Sequence, residues 1–138
     1  MERAPELEDL MRRWYAATAA GEGAVVERSL SRQAGLLVVG TDPREWWTGY
    51  PTAAERFATQ IRELGGQLRI VPGDLRAYRE GSVGWTADHP TFHLPDGTEL
   101  ALRATGVFHQ EDGEWRCVQW HVSIGVGNEE ALGKELTV

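Results

Sequence analysis

His89, His93, His121, Asp88 and Cys117 are the side chains of this 138-residue chain whose types and spacing bear most directly on chemistry. His89 and His93 stand four residues apart, which on a helix would bring both imidazoles to one metal ion. Pro90 and the β-formers around it read as strand instead. A strand rises about 3.3 Å per residue and would hold the two about 13 Å apart, whereas ligands of one ion each lie within about 2.1 Å of it. No metal site is expected, no zinc or calcium motif occurs elsewhere, and no cofactor is implied. His121 is the sharper candidate, since histidine as a residue type suits the role of general acid or base near neutral pH; the alternative is a core histidine held by a hydrogen bond. Asp88 lies inside a β-rich run rather than a turn, and a buried acid has to be paired or neutralised, so it could serve as partner or base. His121, His89 and Asp88 are therefore the catalytic candidates.

Strand parity limits how these groups combine. Asp88 and His89 point to opposite faces, as do Trp120 and His121. Trp85, Ala87 and His89 form one face, and Thr86, Asp88 and Phe92 the other; the face with Trp85 and His89 is expected to line a cavity. Arg103, between apolar neighbours, could clamp an anionic group or bridge to a surface carboxylate. Ser123 lacks the Gly-x-Ser-x-Gly elbow of a serine hydrolase, and no phosphate-binding glycine loop is present. Cys117, the single cysteine, cannot form an intramolecular disulfide and reads as a small buried hydrophobe.

The elements that must position these residues are legible from periodicity and punctuation. Leu7, Leu10, Met11, Trp14, Tyr15 and Thr18 recur at three- and four-residue steps, predicting a helix entered at Pro5 and stopped near Gly21. A shorter helix carries Val25, Val26 and Leu30, and Gly35 to Gly40 reads as a brief strand buried on both sides. Asp42, Pro43 and Glu45 have capping-box spacing before Trp46 and Trp47, and Thr52 with Glu55 repeats it. Ala54, Phe57, Ala58, Ile61 and Leu64 form the stripe of a third helix ended by Gly65-Gly66. From Gln67 the period becomes two, with a bulge or edge bend expected at Pro72-Gly73. Ser82 to Leu94, Glu99 to Gln110 and Glu114 to Val126 then follow as long strands joined at Asp96-Gly97 and Asp112-Gly113, pairs that accept positive φ in hairpin turns. Such a meander has to twist and curl, so helices followed by a curved antiparallel sheet predict an α+β domain with a concave pocket, residues 1–138 forming one domain. The tail from Asn128 reads as loosely attached, with a terminal turn.

The net charge is −7 with the acidic residues dispersed, and no run of Lys or Arg offers the basic face of a nucleic-acid binder. No stretch approaches the roughly 18 apolar residues of a membrane span, and the charged start of the chain lacks a signal-peptide core. A cytoplasmic protein, with neither nucleic acid nor membrane as partner, is the expectation.

Helices first, then long strands ending in Trp115-Arg116-Cys117-Val118-Gln119-Trp120-His121-Val122-Ser123, resemble the nuclear transport factor 2-like superfamily and, within it, the SnoaL-like branch. Gly40 to Gly49, Gly84-Trp85, Pro90-Thr91-Phe92 and Leu94 to Gly97 carry the rest of the likeness. The resemblance implies a cone, with the sheet wrapped around a long first helix, open at one end and dimeric through the outer sheet face. It places Trp14, Tyr15, Trp47, Tyr50, Phe57, Trp85, Phe92 and Trp120 on elements that line the cavity in relatives, where flat rings suit a planar or polycyclic ligand. His121 lies on the strand that runs along that pocket, and Arg103 joins the ligand-binding candidates. Ketosteroid isomerases, polyketide cyclases and scytalone dehydratase share the fold with members that only bind ligands, so fold alone underdetermines activity. Three readings follow: a binder of a small, largely apolar, carbonyl-bearing molecule; a cofactor-independent isomerase, cyclase or dehydratase using His/Asp proton transfer with Tyr15 or Tyr50 stabilising oxygen charge; and a non-catalytic dimeric interaction domain with a plugged interior.

Overall fold

The computed structural model describes all 138 residues. After a two-residue strand β1 (Glu2–Arg3) the chain enters helix α1 (Pro5–Ala20). Proline at the first helical position loses no hydrogen bond there, and Gly21 ends the helix at φ 79°, a left-handed conformation that costs glycine little. The stripe read from the sequence is the buried one: Leu7, Leu10, Met11, Trp14 and Tyr15 all face inward. Helix α2 (Gly23–Arg28) follows, then strands β2 (Leu37–Val39) and β3 (Trp46–Thr48), and helix α3 (Tyr50–Leu64) ended by Gly65. The rest is strand: β4 (Arg69–Val71), β5 (Arg76–Glu80), β6 (Val83–Asp88), β7 (Thr91–His93), β8 (Glu99–Glu111) and β9 (Glu114–Ile124), before a short exposed helix α4 (Asn128–Leu132).

The sheet runs β1-β5-β6-β8-β9-β2-β3, and β7 bridges β8 to β4. It is mixed rather than antiparallel throughout, because β2 lies parallel to β9. No hairpin joins β2 to β9, since the chain between them runs through β3, α3 and β4 to β8, so the direction in which β2 runs is not tied to that of β9. A bulge between Val107 and Phe108 leaves Val118 as the extra residue on β9 and locally strengthens the twist.

One row across the sheet explains how the helices sit. Ala77, Thr86, Gly106, Trp120, Val38 and Trp47 are successive cross-strand partners, and all face inward. The row is small on its β5–β8 side and aromatic on its β9–β3 side. A Cβ at Gly106 would stand 2.7 Å from the Phe108 ring and 3.1 Å from that of Trp120, while one at neighbouring Gly84 would stand 2.4 Å from Leu7 Cδ1. Absent side chains thus seat α1 close to β6 and leave room for large rings further along.

Several local expectations need correcting. The strand expected to be buried on both sides is covered on one, since Val38 is buried while Leu37 is partly exposed on the outer face. Asp42 and Glu45 make half of the expected capping box, the Asp42 N–H donating to Glu45 Oε1 at 2.8 Å, but no helix follows. Trp46-Trp47-Thr48 are strong β-formers and pair with β2, so the segment closes a hairpin. Helix α3 starts at Tyr50, ahead of Thr52, and has no side-chain cap. The long strand expected from Ser82 to Leu94 breaks at His89-Pro90 into β6 and β7.

Candidate functional site

Asp88 is buried, and it is the inward residue of its pair. The face formed by Gly84, Thr86 and Asp88 meets α1, whereas Ala87 and His89 are exposed and Trp85 stacks on Tyr78 on the outer side. The parity expected from the sequence is reversed, because helix packing selects the face that carries glycine. Asp88 Oδ2 accepts the Tyr15 hydroxyl at 3.0 Å, and Oδ1 accepts the backbone N–H groups of Gly73 at 2.9 Å and His89 at 2.8 Å. Three donors satisfy a carboxylate that burial would otherwise penalise. The Tyr15 phenol is pushed well above its ordinary range, first by burial and then by the charge of Asp88.

Beside this dyad the interior opens. Trp14, Tyr15 and Thr18 of α1, Ile70, Pro90 and Phe92 around β4 and β7, and Leu102, Ala104, Trp120 and Val122 of the sheet enclose an inner chamber of about 80 Å³. Thr18, Phe92, Leu102, Trp120 and Val122 are shared with a larger chamber of about 200 Å³, which extends between α3 and the sheet to Phe57, Gln60, Ile61 and Leu64 on one side and Val38, Trp47 and Ile124 on the other. Aromatic rings frame it: Trp14 lies 5.1 Å from Trp120 between centroids, and Phe57 meets both Trp14 and Trp47 edge-on at 5.8 and 5.3 Å. Such edge-on pairs are each worth about 0.5–1.5 kcal/mol beyond their buried area, which holds the wall rigid.

The mouth of the hollow is polar. Glu45 folds back over the β2–β3 hairpin, and a Cβ at Gly40 would stand 2.8 Å from Glu45 Cβ, so glycine is needed there. Glu45 Oε1 takes the Asp42 N–H, while Oε2 accepts Gln60 Nε2 at 2.7 Å across the gap to α3. Outside this pair lies a cleft of about 460 Å³ lined by Asp42, Arg44, Glu55, Arg56, Thr59 and Glu63. Arg44 is engaged with Asp42, whose carboxyl its hydrogen bonds hold down to about 2.

Of the ligand-binding candidates, Trp14, Tyr15, Trp47, Phe57, Phe92 and Trp120 line the two chambers. Tyr50, Trp85 and Arg103 do not. The Tyr50 hydroxyl donates to Glu27 and accepts from Arg32, which also lies over its ring, and Arg103 is exposed on the outer face. His121 is exposed on that face too, opposite Thr105, while adjacent Trp120 points into the hollow. His89 and His121 are thus not brought to Asp88. His93 pairs with Glu99 at 3.3 Å, and no group of three or more His, Cys, Asp or Glu side chains converges as metal ligands would. Cys117 is fully buried, and burial pushes its thiol up. Glu45 and Gln60 were missed as site residues because capping-box spacing and an ordinary helix position explained them; Thr18 stood in the α1 stripe but looked like a core residue.

The model of the SnoaL-like domain matches residues 7–127. The chain belongs to the SnoaL-like domain family. Solved structures bear this fold out. An NTF2-like protein of unknown function from Pseudomonas putida KT2440 superposes with a TM-score of 0.80 at 15% identity, over 96% of this chain and 92% of the other. An NTF2-like protein with a cystatin-like fold from Novosphingobium aromaticivorans gives 0.71 at 14%, over 94% and 88%. A candidate ketosteroid isomerase from Shewanella frigidimarina NCIMB 400 gives 0.69 at 19%, over 83% and 92%. At such identities the likeness shows the SnoaL-like architecture and nothing about activity. No curated protein matches this sequence. No helix is long and apolar enough to cross a membrane.

Proposed function

We propose that this SnoaL-like protein binds a small, largely apolar, carbonyl-bearing molecule in the aromatic hollow. In this reading it works as a single-domain cytoplasmic homodimer joined through the outer sheet face, with the sheet curling over α1. The observation that carries it is the unfilled, apolar space between α1, α3 and the sheet, walled by Trp14, Trp47, Phe57 and Trp120. An interaction domain with a plugged interior would have no such space. Size narrows the ligand: a dry apolar cavity of about 150 Å³ takes a benzene, so a chamber of about 200 Å³ suits one ring or a short chain rather than a polycycle.

Val122 lines both chambers, which makes it the place to close them. Val122→Phe is expected to abolish binding of a monocyclic ketone such as acetophenone, followed by shifts of the Trp indole N–H resonances, while the circular dichroism of the fold persists. Retained binding in that variant would place the ligand elsewhere.

A second reading, a cofactor-independent isomerase or lyase, is favoured by the Tyr15–Asp88 pair adjoining the inner chamber. Here Asp88 would take a proton from the substrate as base, and the Tyr15 hydroxyl, no longer donating to a carboxylate, would turn to the developing oxygen charge. That reading expects turnover to be lost in Tyr15→Phe with ligand affinity retained; a binder shows no turnover in either form.

A further inference from the structure

Thr18 sits where the two chambers join, and its hydroxyl is unused. Oγ1 is buried without any hydrogen-bond partner. A helical threonine ordinarily returns its hydroxyl to a carbonyl three or four residues back, and a buried unpaired hydroxyl is costly enough to be rare. Since Oγ1 itself is enclosed, the part of Thr18 that meets the hollow is the rest of its side chain. One step of about 120° around Cα–Cβ carries the hydroxyl to the place of the methyl, and the methyl to that of the Cβ hydrogen, and so turns the hydroxyl into the cavity.

We infer that the hollow selects an uncharged, single-ring-sized molecule with one hydrogen-bonding group, that Thr18 is the residue reading that group, and that Glu45 turns carboxylates away at the mouth. This rests on the hollow being the binding site. Around the junction the wall is hydrocarbon and aromatic ring, with Phe92, Leu102, Trp120 and Val122 nearest in the lining. A hydrogen bond formed there is strong because the surroundings are apolar, whereas a second polar group brought to the junction would go unpaired. At the mouth stands the carboxylate of Glu45, fixed between the Asp42 N–H and Gln60 Nε2, and the cleft beyond carries Glu55 and Glu63 against Arg56, with Arg44 already engaged. An entering carboxylate meets like charge on that path; a ketone or alcohol does not.

Three probes of one approximate shape separate these statements: ethylbenzene, acetophenone and benzoate, titrated against the full chain by NMR. Acetophenone is expected to bind about tenfold tighter than ethylbenzene, with its carbonyl stretch lowered relative to the same molecule in hexane, and benzoate not to bind. Thr18→Val should erase the advantage of acetophenone and leave ethylbenzene unchanged, Thr18→Ser should keep it, and Glu45→Gln should admit benzoate. Equal affinity for ethylbenzene and acetophenone in the unmodified protein, or an unshifted carbonyl stretch, overturns the role of Thr18 without any variant. Benzoate binding to the unmodified protein, or exclusion that survives Glu45→Gln, overturns the role of Glu45. If none of the probes binds, what fails is the hollow as a binding site.

Discussion

Tyr15 and Asp88 show how one buried pair ties stability to the site. The hydroxyl of Tyr15 donates to a carboxylate that two backbone N–H groups also hold. Hydrogen bonds to a charged acceptor contribute roughly 1.5–3 kcal/mol each, so Tyr15→Phe is expected to lower unfolding free energy by about that amount in urea titrations. The pH dependence has a definite sign. The phenol is raised above its ordinary value near 10, so below pH 10 it is protonated whether the chain is folded or not. Above that the unfolded chain loses the proton first, and stability falls as pH rises. Cys117, also raised by burial, acts in the same direction from about pH 9. The alkaline loss of stability should shrink in Tyr15→Phe, and an unchanged alkaline limb would mean the phenol is not buried against Asp88. Asp88 was legible in the sequence because an acid inside a strand has to be paired. Its face was not. Trp85 looks like the core residue of β6 and Gly84 like a surface one, and only the approach of Leu7 to Gly84 reverses that order.

At the scale of elements, the break between β6 and β7 decides where the inner chamber forms. The long strand β8 pairs with β6 along Ala104 to His109 and with β7 along Ala101 to Glu99, so the chain leaves one ladder at His89-Pro90 and enters another. Gly73 packs under this corner: a Cβ there would stand 2.3 Å from the His89 carbonyl oxygen, and its own N–H holds Asp88. Gly73→Ala should therefore cost on the order of 1–3 kcal/mol, the usual range for overpacking, and the loss should be read in the same urea titrations; a neutral substitution would show that the corner is loose. The hairpin turns, α1 and the stripe and terminus of α3 were legible, since glycine, proline and a 3.6-residue period act locally. The β2–β3 hairpin was hidden behind a capping-box pattern. Its pairing depends on β9, some eighty residues away, and on Trp47 finding Phe57.

At the scale of the whole molecule, the outer sheet face is the surface left over when α1 and α3 have covered the inner one. Trp85, Val107, Thr105, His121 and Leu37 lie on it, with Trp46 exposed by 66% at its edge. Burial of this face against a second copy is what the homodimer reading requires. Thr105→Glu, at its centre, brings like charges together across a two-fold axis and should shift sedimentation toward monomer; a native protein that sediments as a monomer at micromolar concentration would remove the dimer. The overall architecture was legible because the order of helices and long strands is a global pattern. The hollow was expected only in outline, since its volume depends on which rings fall short of filling it. A crystal soaked with 4-bromoacetophenone is the direct measurement of that space: a bromine anomalous peak among Phe57, Phe92, Leu102 and Trp120 is predicted, and an empty hollow, or a peak beside His121 on the outer face, would contradict it.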